Sequence, residues 1–546
     1  MNLTQLINSA WMLRCRTEGR RFRRATLQVE TAQSKLLQET LSANRGSQYG
    51  RRWQFERVHS YREFCRRVPL VTYDDLTAEV NRIAAGEMNV LTTDAVTLLE
   101  PTSGTTTAEK LIPYTPGLKR QFQRGLAAWI DDLFSRRPAV RRGRAYWSIS
   151  PALSPQRRSE AGIPIGFEDD TAYLGFALRQ LARRILAVPP SIARNERLET
   201  FQFQTLLYLI AAEDLSLVSV WNPTFLTTLL TKLDVWRDEL MIALGQLPHL
   251  PTTRIHTVRA ALDSENSLPE VCQRLWPRLA LVSSWADASA ALFVPQLKEL
   301  LPQAELQPKG LLATEAFVSL PLTDRSGSAL ALRSHFFEFE EVGSGDIDPH
   351  QPLLRAHELV LGERYRVVVT TLGGLYRYRL GDEIEVTDYV NACPAIRFMG
   401  RGQKTSDLVG EKLHDSHVRE VIRCLLVKHS IAATFAMMVP DDTKPISYCL
   451  LLECTNPPIV DCVLSEMADD LERELQDNPY YRQAVEMGQL NRATVRLIQS
   501  PKPASAIYQR ECARRGQRLG NIKPLSIDSR QGWPLVFASA ATTPSS

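Results

Sequence analysis

The sequence predicts an α/β protein with a large N-terminal domain of β-sheets flanked by helices plus a β-rich section, followed by a small α+β domain. Its 546 residues exceed the ~100–200 residues of an ordinary domain. Strand-like and helical runs alternate over residues 96–322, and residues 336–386 show the apolar/polar alternation of antiparallel strands. A glycine-containing stretch near residues 400–410 separates two apolar runs, which predicts a hinge between domains 1–402 and 403–546.

The elements follow in order along the chain. In the large domain we expect amphipathic helices before residue 95, a short strand at 96–100, a helix at 117–135 and a strand at 144–151. Helices within 171–243 are expected to surround a strand at 217–223. A strand leading into a helix should follow at 279–288, and two strands joined by a loop at 310–322. In the small domain we expect a helix at 414–429, strands at 432–440 and 448–455, a helix at 459–476 and a strand at 492–499, with a tail disordered at its end.

Composition and charge exclude several classes of function. The chain is 44% hydrophobic and 23% charged, as globular proteins are, and its formal net charge of +4 does not favour nucleic acid as a partner. Two basic runs, Arg14–Leu27 and Arg136–Arg144, are interpreted as solvated faces or loops rather than membrane or nucleic-acid arms. No apolar run reaches the ~18 residues of a membrane span, so no membrane association is expected.

The cysteines and histidines argue against a metal cage. Nine cysteines are scattered without a CxxC pair, and nine histidines show no HExxH spacing. This usage is typical of a reducing cytoplasm and indicates neither disulfides nor a zinc site.

The stretch PTSGTTTAEK, residues 101–110, is a candidate phosphate-binding loop. Hydroxyls and backbone N–H groups beside Gly104 can surround phosphate oxygens, and Lys110 can neutralise their charge. However, no glycine precedes the lysine and Leu111 follows it, which disfavours the P-loop pattern GxxxxGK[ST]. Without further context, a Ser/Thr turn entering a helix explains the residues equally well.

Two carboxylates are candidates for nucleotide and metal binding. Glu315 lies in LLATEAF between two apolar strands, and Mg²⁺ prefers such hard oxygen ligands; a solvent-exposed strand end is the alternative. Asp382 follows Gly381 at a predicted sharp turn, after Tyr376–Arg379 are expected to alternate across a strand. An aspartate held there can accept both ribose hydroxyls, and an Asx turn is the alternative.

Two basic residues complete the candidates. Arg401 lies beside the predicted hinge and can either reach ribose and phosphate or cap the last strand of the large domain. Lys523 lies in RLGNIKP, where a lysine beside a glycine can approach an α-phosphate as a point charge. Taken alone, it would be interpreted as a surface lysine.

With the candidate residues in this order along the chain, the sequence resembles the auxin-responsive Gretchen Hagen proteins, the acyl acid amido synthetases of the adenylate-forming superfamily. The most specific segments are KGLLATEAFVSLPL, HFFEFE, TTLGGLYRYRLGDEIEV and SDLVGEKL. The resemblance extends from NRGSQYG (Asn44–Gly50) to GNIKP (Gly520–Pro524), and its style is that of the bacterial branch. It implies an adenylate-forming large domain, a mobile small domain, and a cytoplasmic ligase that acts without nucleic-acid or membrane partners, with a monomer favoured.

The resemblance implies a two-step ligation that uses ATP and Mg²⁺. A carboxylic acid is first adenylated with release of pyrophosphate, and an amine, typically of an amino acid, then displaces AMP to give an amide. The catalytic residues implied are Lys523, Glu315 and Lys110. The resemblance implies that Ser103, Gly104, Thr105 and Thr106 bind phosphate together with Lys110. Thr314 and Glu315 would contact the α-phosphate and the metal. Tyr376, Asp382 and Arg401 would bind the nucleoside.

The chain departs from the family pattern at four places: Thr107 and Ala316 each replace a usual glycine, Gln403 replaces an acidic residue, and His414–Asp415 replaces Asn-Glu. The Cβ of Thr107 either obstructs close approach of the backbone to phosphate or is accommodated at negative φ. Two alternatives to amide synthesis therefore stay open. One is an adenylating enzyme with a thiol, hydroxyl or carrier-protein acceptor, and the other is a non-catalytic adenylate-binding relative.

Overall fold

The structure is a computed structural model, and the chain forms two compact units in it. The first comprises Met1–Trp221, Leu233–Ser284 and Pro302–Phe398, and the second Asn222–Lys232, Trp285–Leu301 and Met399–Ser546. The domain boundary between residues 402 and 403 stays a prediction. The structure describes residues 3–102, 110–147, 157–166, 184–195, 197–263, 266–343, 347–401, 405–406, 408–409, 411, 413–441, 446–454, 460–515, 517, 522 and 525–541.

The first unit begins with the predicted helices. The helix Tyr61–Arg67 begins with a capping box, because the Ser60 hydroxyl accepts the Glu63 N–H and the Glu63 carboxylate accepts the Ser60 N–H. In the next helix the Asp75 carboxylate accepts the Thr72 N–H at 2.8 Å. The α-helices are Leu3–Ala25, Val29–Asn44, Gln48–Arg52, Tyr61–Arg67 and Tyr73–Ala84, with a 3₁₀ helix at Phe55–Arg57.

A parallel four-stranded sheet forms the α/β part of the first unit. Its two central strands are entirely buried, as is usual where helices cover both faces, whereas the two edge strands are partly exposed. Their order in the sheet is the order in the chain: Arg144–Trp147, Leu215–Ser219, Leu281–Ser284 and Glu305–Pro308. Among the described residues, the further helices of this part of the chain are Pro116–Arg136, Pro138–Arg141, Leu198–Ala211, Lys232–Val235, Arg237–Gly245, Thr252–Leu262 and Leu268–Leu275, with a 3₁₀ helix at Pro190–Arg194.

A seven-stranded antiparallel sheet confirms the predicted β-rich section. Alternate side chains are buried along much of the long strand Tyr378–Val390, as expected where one sheet face covers a core. The order across the sheet is Leu354–Arg355, Phe336–Glu341, Arg364–Thr370, Tyr378–Val390, Cys393–Arg401, Ser328–Leu330 and Ser319–Pro321. A third sheet contains Leu111–Tyr114, Leu98–Pro101, Pro164–Ile165 and Arg157–Arg158.

The second unit is the predicted small α+β fold with additional helices. The strands Ala433–Asp441 and Ser447–Cys454 form an antiparallel pair, and Thr494–Leu497 adds in parallel after a helical crossover. The helices of residues 415–541 are Asp415–Lys428, Asp461–Leu475, Pro479–Glu486, Ala504–Arg514 and Trp533–Ala541, and two short strands are Thr405–Ser406 and Leu413–His414. The sequence interpretation omitted the helices at 479–486, 504–514 and 533–541.

Two segments that the sequence assigned to the large domain pack with this second unit. They are Asn222–Lys232, which contains the helix Pro223–Leu230, and Trp285–Leu301, which contains Val294–Leu300 after a 3₁₀ turn at Ala288–Phe293. None of the helices in the described part of the chain combines the length and apolar character needed to cross a bilayer.

Candidate active site

The candidate phosphate loop joins two antiparallel strands. Pro101 pairs with Leu111, and the Thr102 N–H donates to the Lys110 carbonyl at 2.8 Å, which closes the base of the connection. The alternative of a turn entering a helix is wrong, because Lys110 leads directly into the strand Leu111–Tyr114. The predicted phosphate ligands Ser103, Gly104, Thr105 and Thr106, together with Thr107, lie outside the described residues.

Tyr73 fixes the position of Lys110 at this base. The Lys110 ammonium lies 5.5 Å from the centre of the Tyr73 ring, a favourable cation–π distance. The Tyr73 hydroxyl also accepts the Leu111 N–H at 2.8 Å. Lys110 is therefore held beside the loop rather than extended into solvent. Sequence reasoning missed Tyr73, which lies in an unrelated helix.

The predicted Thr-Glu pair lies on a tight turn attached to the same strand. The Ala313 N–H donates to the Ala316 carbonyl at 2.9 Å, and the Tyr114 hydroxyl donates to the Thr314 carbonyl at 2.6 Å. Glu315 is 3% exposed, so the alternative of a solvent-exposed strand end is wrong. Tyr114 thus connects the candidate phosphate hairpin to the candidate metal ligand.

Gly310 determines how the chain enters that turn. A Cβ at this position would lie 2.1 Å from the Ser319 carbonyl oxygen, closer than real contacts allow. Only glycine lets the two segments approach this closely, and the Leu311 N–H then donates to the Ser319 hydroxyl at 2.9 Å. The glycine of KGLLATE is therefore needed for packing, and Ala316, a departure from the family pattern, is fully buried.

Asp382 lies in a β-bulge and not at a hairpin turn. Arg366 pairs with Glu383 and Val368 with Arg379, so one strand advances four residues while its partner advances two. Gly381 has φ +76°, which suits a bulge residue. The predicted sharp turn is wrong, because one continuous strand passes through Asp382. The Asp382 side chain is 1% exposed.

The expected alternation of Tyr376–Arg379 is also wrong. Arg377 has φ +48° and the strand begins only at Tyr378, so Tyr376, Arg377 and Tyr378 are all buried. Tyr376 stacks on Tyr49 with ring centres 5.1 Å apart and donates its hydroxyl to the Leu91 carbonyl at 2.9 Å. These are the contacts of a core residue, and its role in nucleoside binding stays a prediction.

A short segment joins the Asp382 strand to the hairpin. The Val71 N–H donates to the Arg377 carbonyl at 3.0 Å, and the Arg379 N–H donates to the Val71 carbonyl at 2.9 Å. Two residues later, Tyr73 contacts Lys110 and Leu111. The described candidate residues Lys110, Thr314, Glu315 and Asp382 therefore belong to one hydrogen-bonded framework in the first unit.

The two basic candidates of the second unit, Arg401 and Lys523, lie largely outside the described residues. The backbone of Arg401 ends the strand Cys393–Arg401, but its side chain and the whole of Lys523 lie outside the described residues. In the adjoining SDLVGEKL segment, Glu411 is fully buried and accepts the N–H groups of Leu408 and Val409, each at 2.8 Å. The Tyr448 hydroxyl donates to the same carboxylate, which fixes this part of the predicted hinge.

Lys309 marks the carboxyl edge of the parallel sheet, and sequence reasoning missed it. Its ammonium lies 2.6 Å from the Ser219 hydroxyl, 4.9 Å from the Trp221 ring centre and 5.9 Å from that of Trp129. Ligands of open parallel sheets bind outside the carboxyl ends of the strands, so this edge is a candidate binding site for the carboxylic acid that the resemblance implies as a substrate. The lysine that follows the strand Glu305–Pro308 was the available signal.

Sequence reasoning also missed His335. It is fully buried, and burial, followed by the charge of Arg124, lowers its pKa to about 3. Its Nε2 accepts the Phe317 N–H at 3.0 Å, and its Nδ1 lies 3.2 Å from Gln121 Oε1. The imidazole is therefore neutral in the folded protein.

The free energy of unfolding is expected to fall as the pH is lowered from about 6.5 to about 3. The unfolded chain binds a proton at His335 near the ordinary pKa of ~6.5, whereas the folded chain does so only near 3. His335→Leu should reduce the slope in that window by up to ~1.4 kcal/mol per pH unit. Urea unfolding of both proteins from pH 7 to 4 measures it, and identical slopes would contradict the assignment.

The fit to Mg²⁺ rests on the donor set. Among residues with described positions, no three histidine, cysteine, aspartate or glutamate side chains cluster closely enough to hold a metal ion. Mg²⁺ is commonly held by one or two carboxylates together with substrate phosphates. The buried carboxylate of Glu315 lies on the turn that Tyr114 joins to the candidate phosphate hairpin, and it fits that mode of binding.

Comparison with protein families gives two matches. Residues 19–306 match the GH3 family N-terminal domain, and residues 328–401 match the GH3 family central domain. The first match alone spans more than half of the chain.

Individual relatives extend the similarity into the second unit. The chain is 23% identical over 429 residues to a probable indole-3-acetic acid-amido synthetase, GH3.2, of Oryza sativa subsp. japonica, with 72% of this chain and 69% of the relative covered. It is 22% identical over 500 residues to indole-3-acetic acid-amido synthetase GH3.4 of Arabidopsis thaliana, covering 84% and 83%. 

Among solved structures, AtGH3.15 acyl acid amido synthetase in complex with 2,4-DB has a TM-score of 0.81 at 18% identity, covering 97% and 96%. 2-Hydroxyisobutyryl-CoA ligase in complex with 2-HIB-AMP has a TM-score of 0.52 at 13% identity, covering 93% and 90%. These likenesses confirm the predicted adenylate-forming fold.

Proposed function

Because the chain belongs to the GH3 family, we propose that it is an ATP-dependent acyl acid amido synthetase that joins a carboxylic acid to an amine, typically of an amino acid. The observation that carries the proposal is the hydrogen bond from Tyr114 to the Thr314 carbonyl. It attaches the candidate metal ligand Glu315 to the hairpin that carries the candidate phosphate loop. Triphosphate binding and α-phosphate chemistry require these two features side by side.

The reaction has two steps. In the first, a carboxylate oxygen of the acid attacks the α-phosphorus of ATP, the bond to the β-phosphate oxygen breaks, and pyrophosphate leaves. In the second, the amine nitrogen attacks the acyl carbon, the bond to AMP breaks, and the nitrogen loses a proton. Since both steps move charge onto phosphate oxygens, positioning and charge neutralisation supply most of the catalysis.

The chain's own residues take the following roles in this proposal. Ser103, Gly104, Thr105 and Thr106 hold the β- and γ-phosphates, and Lys110, fixed on Tyr73, neutralises them. Thr314 meets the α-phosphate. Asp382 accepts the ribose hydroxyls with help from Arg401. Tyr376, which is held by its contacts with Tyr49 and Leu91, takes part in binding the nucleoside. Lys523 neutralises charge during adenylation.

Mg²⁺ bound at Glu315 would supply neutralisation of phosphate charge. The residues around it hold that carboxylate in place. Tyr114 fixes the turn through the Thr314 carbonyl, and burial of Glu315 excludes bulk water from its side chain. We propose further that residues 403–546 form a mobile small domain that rotates about residues 400–410 between the half-reactions, and that the enzyme is a cytoplasmic monomer.

Acid-dependent pyrophosphate release tests the function. Purified protein is incubated with ATP and Mg²⁺ over a panel of aryl, indolyl and fatty acids crossed with amino acids. We expect pyrophosphate with at least one acid, and an amide of the corresponding mass only when the amino acid is also present. The proposal is contradicted if pyrophosphate is released equally without any acid, or if no acid of the panel causes its release. A thioester with coenzyme A and no amide with any amino acid would indicate the thiol acceptor.

The same assay tests the position of the acid. If the acid binds at the edge marked by Lys309, Lys309→Met should raise the KM for the acid about tenfold, the loss of one charged contact, with the KM for ATP unchanged. Lys298→Met, on the helix Val294–Leu300, is the surface control. Equal effects on both KM values would place the acid elsewhere.

A further inference from the structure

A buried Gln121–His335 pair contacts both turns that the proposed function uses. Gln121, on the helix Pro116–Arg136, and His335, at the start of the strand Phe336–Glu341, are each 0% exposed. His335 contacts Phe317, two residues beyond Glu315. Gln121 contacts Leu372, in the turn that precedes the Asp382 strand. One side-chain pair therefore joins segments that are distant in the sequence.

Hydrogen-bond geometry fixes the tautomer of the histidine. The Phe317 backbone N–H can only donate, so His335 Nε2 is the acceptor at 3.0 Å. In the neutral ring the proton is then on Nδ1, which donates to Gln121 Oε1 at 3.2 Å. A leucine or phenylalanine at position 335 would leave the Phe317 N–H without this acceptor.

The glutamine oxygen accepts two donors at once. Besides His335 Nδ1–H, Gln121 Oε1 accepts the Leu372 N–H at 2.9 Å. Among the described residues nothing accepts a hydrogen bond from the buried Gln121 Nε2. A buried amide left in this way usually has an explanation, and here the orientation is the one that binds both the histidine and the second turn.

Each turn is also held by the hairpin strand, which makes the arrangement closed. Tyr114 donates to the Thr314 carbonyl at 2.6 Å, and the next residue, Thr115, donates its hydroxyl to the Leu372 carbonyl at 3.2 Å. The two turns are thus connected on one side by Tyr114, the last residue of the hairpin strand, and Thr115, the N-cap of the helix Pro116–Arg136, and on the other by the Gln121–His335 pair. A change at the pair is therefore expected to disturb both turns.

We propose that Gln121 and His335 are positioning residues that hold the Thr314–Glu315 turn and the Leu372 turn in the arrangement that binds Mg²⁺·ATP. The proposal rests on the function proposed above. Neither residue contacts the nucleotide. Their effect is on the placement of Glu315 and of the strand that leads to Asp382.

Two measurements on the full-length protein test it, and neither depends on turnover. The first is amide hydrogen exchange of residues 313–317 and 371–375, and the second is the dissociation constant for Mg²⁺·ATP by calorimetry. His335→Leu should speed exchange at both turns and weaken Mg²⁺·ATP binding about tenfold, an estimate from the loss of one positioning contact. His335→Gln, whose amide oxygen can replace Nε2 as acceptor, should restore binding to within about threefold.

Asn8→Leu is the matched control. Asn8 is a buried amide of the same unit that donates to the carbonyls of Arg141 and Gly143 at 3.0 and 3.1 Å, which belong neither to the two turns nor to the pair. The variant should lower thermal stability without changing the dissociation constant. The proposal is overturned if His335→Leu and Asn8→Leu weaken binding alike, or if exchange at the turns rises while binding is unchanged.

The two proposals fail in different ways. If the wild-type protein does not bind Mg²⁺·ATP, the proposed function is wrong and the nucleotide role of the pair is wrong with it. If the wild type binds and releases pyrophosphate but His335→Leu does so equally, only the positioning role is overturned.

Discussion

Asp382→Asn should reduce kcat/KM for ATP in acid-dependent pyrophosphate release by about 10²–10⁴-fold. A carboxylate can accept both ribose hydroxyls, whereas an amide offers one acceptor oxygen and turns two donors toward them. Loss of two charge-assisted hydrogen bonds at ~1.5–3 kcal/mol each gives that range. The side chain is 1% exposed, so the isosteric asparagine keeps the packing around the bulge.

Asp388→Asn provides the comparison on the same strand. Asp388 is half-buried and accepts the neighbouring Tyr389 N–H at 2.7 Å, so its replacement should leave the kinetics for ATP unchanged. Thermal unfolding of both variants checks that they remain folded at the assay temperature. Wild-type kinetics in a folded Asp382→Asn protein would remove the ribose assignment and leave Asp382 as a structural residue of the bulge.

Arg377→Met should lower the free energy of unfolding by about 3–5 kcal/mol, the usual loss when one partner of a buried ion pair is removed. Arg377 Nε lies 3.0 Å from Glu338 Oε1, and neither side chain is exposed. The guanidinium also donates to the carbonyls of Val68, Pro349 and Gln351 at 3.0, 2.9 and 2.6 Å. Methionine would leave the Glu338 charge and these carbonyls buried without their partner.

Arg379→Met is the matched variant two residues away. Arg379 Nε lies 2.6 Å from Glu340 Oε1, and the side chains are 29% and 5% exposed. Water can reach this pair from the arginine side, so the expected loss is smaller, about 1–2 kcal/mol. Midpoints of urea unfolding for the two variants give the comparison. Losses of equal size would show that the fully buried network contributes no more than a partly exposed pair.

Most of the fold was predictable because it follows from local patterns. Helical periodicity identified Tyr73–Ala84 and Pro116–Arg136, and apolar runs identified the parallel strand Leu281–Ser284. The errors occurred where backbone conformation overrides periodicity. At Arg377 a positive φ buries three consecutive residues, and at Asp382 a bulge replaces a turn. Neither the positive φ of Arg377 nor the bulge at Asp382 can be recognised from the pattern of residue types.

The candidate site was predictable as a set of residues and not as an arrangement. PTSGTTTAEK, LLATEAF and YRLGD were identified as candidate phosphate, metal and nucleoside segments, since their residue types carry the required donors, acceptors and charge. Tyr73, Tyr114 and His335 act on those segments from other elements. They could not be found from the sequence, because an isolated tyrosine or histidine has the same pattern whether it fills a core or fixes a turn.

The sequence by itself determined the family, the adenylate-forming fold and the chemical types at the site, because these depend on residue identity and order. Only the tertiary structure decided that the candidate phosphate loop lies between two antiparallel strands, that Glu315 is buried on a turn bonded to Tyr114, and that Gln121 and His335 join two distant turns. The physical reason is that hydrogen bonds between distant segments depend on the packing of the whole core, which no local pattern of residues encodes.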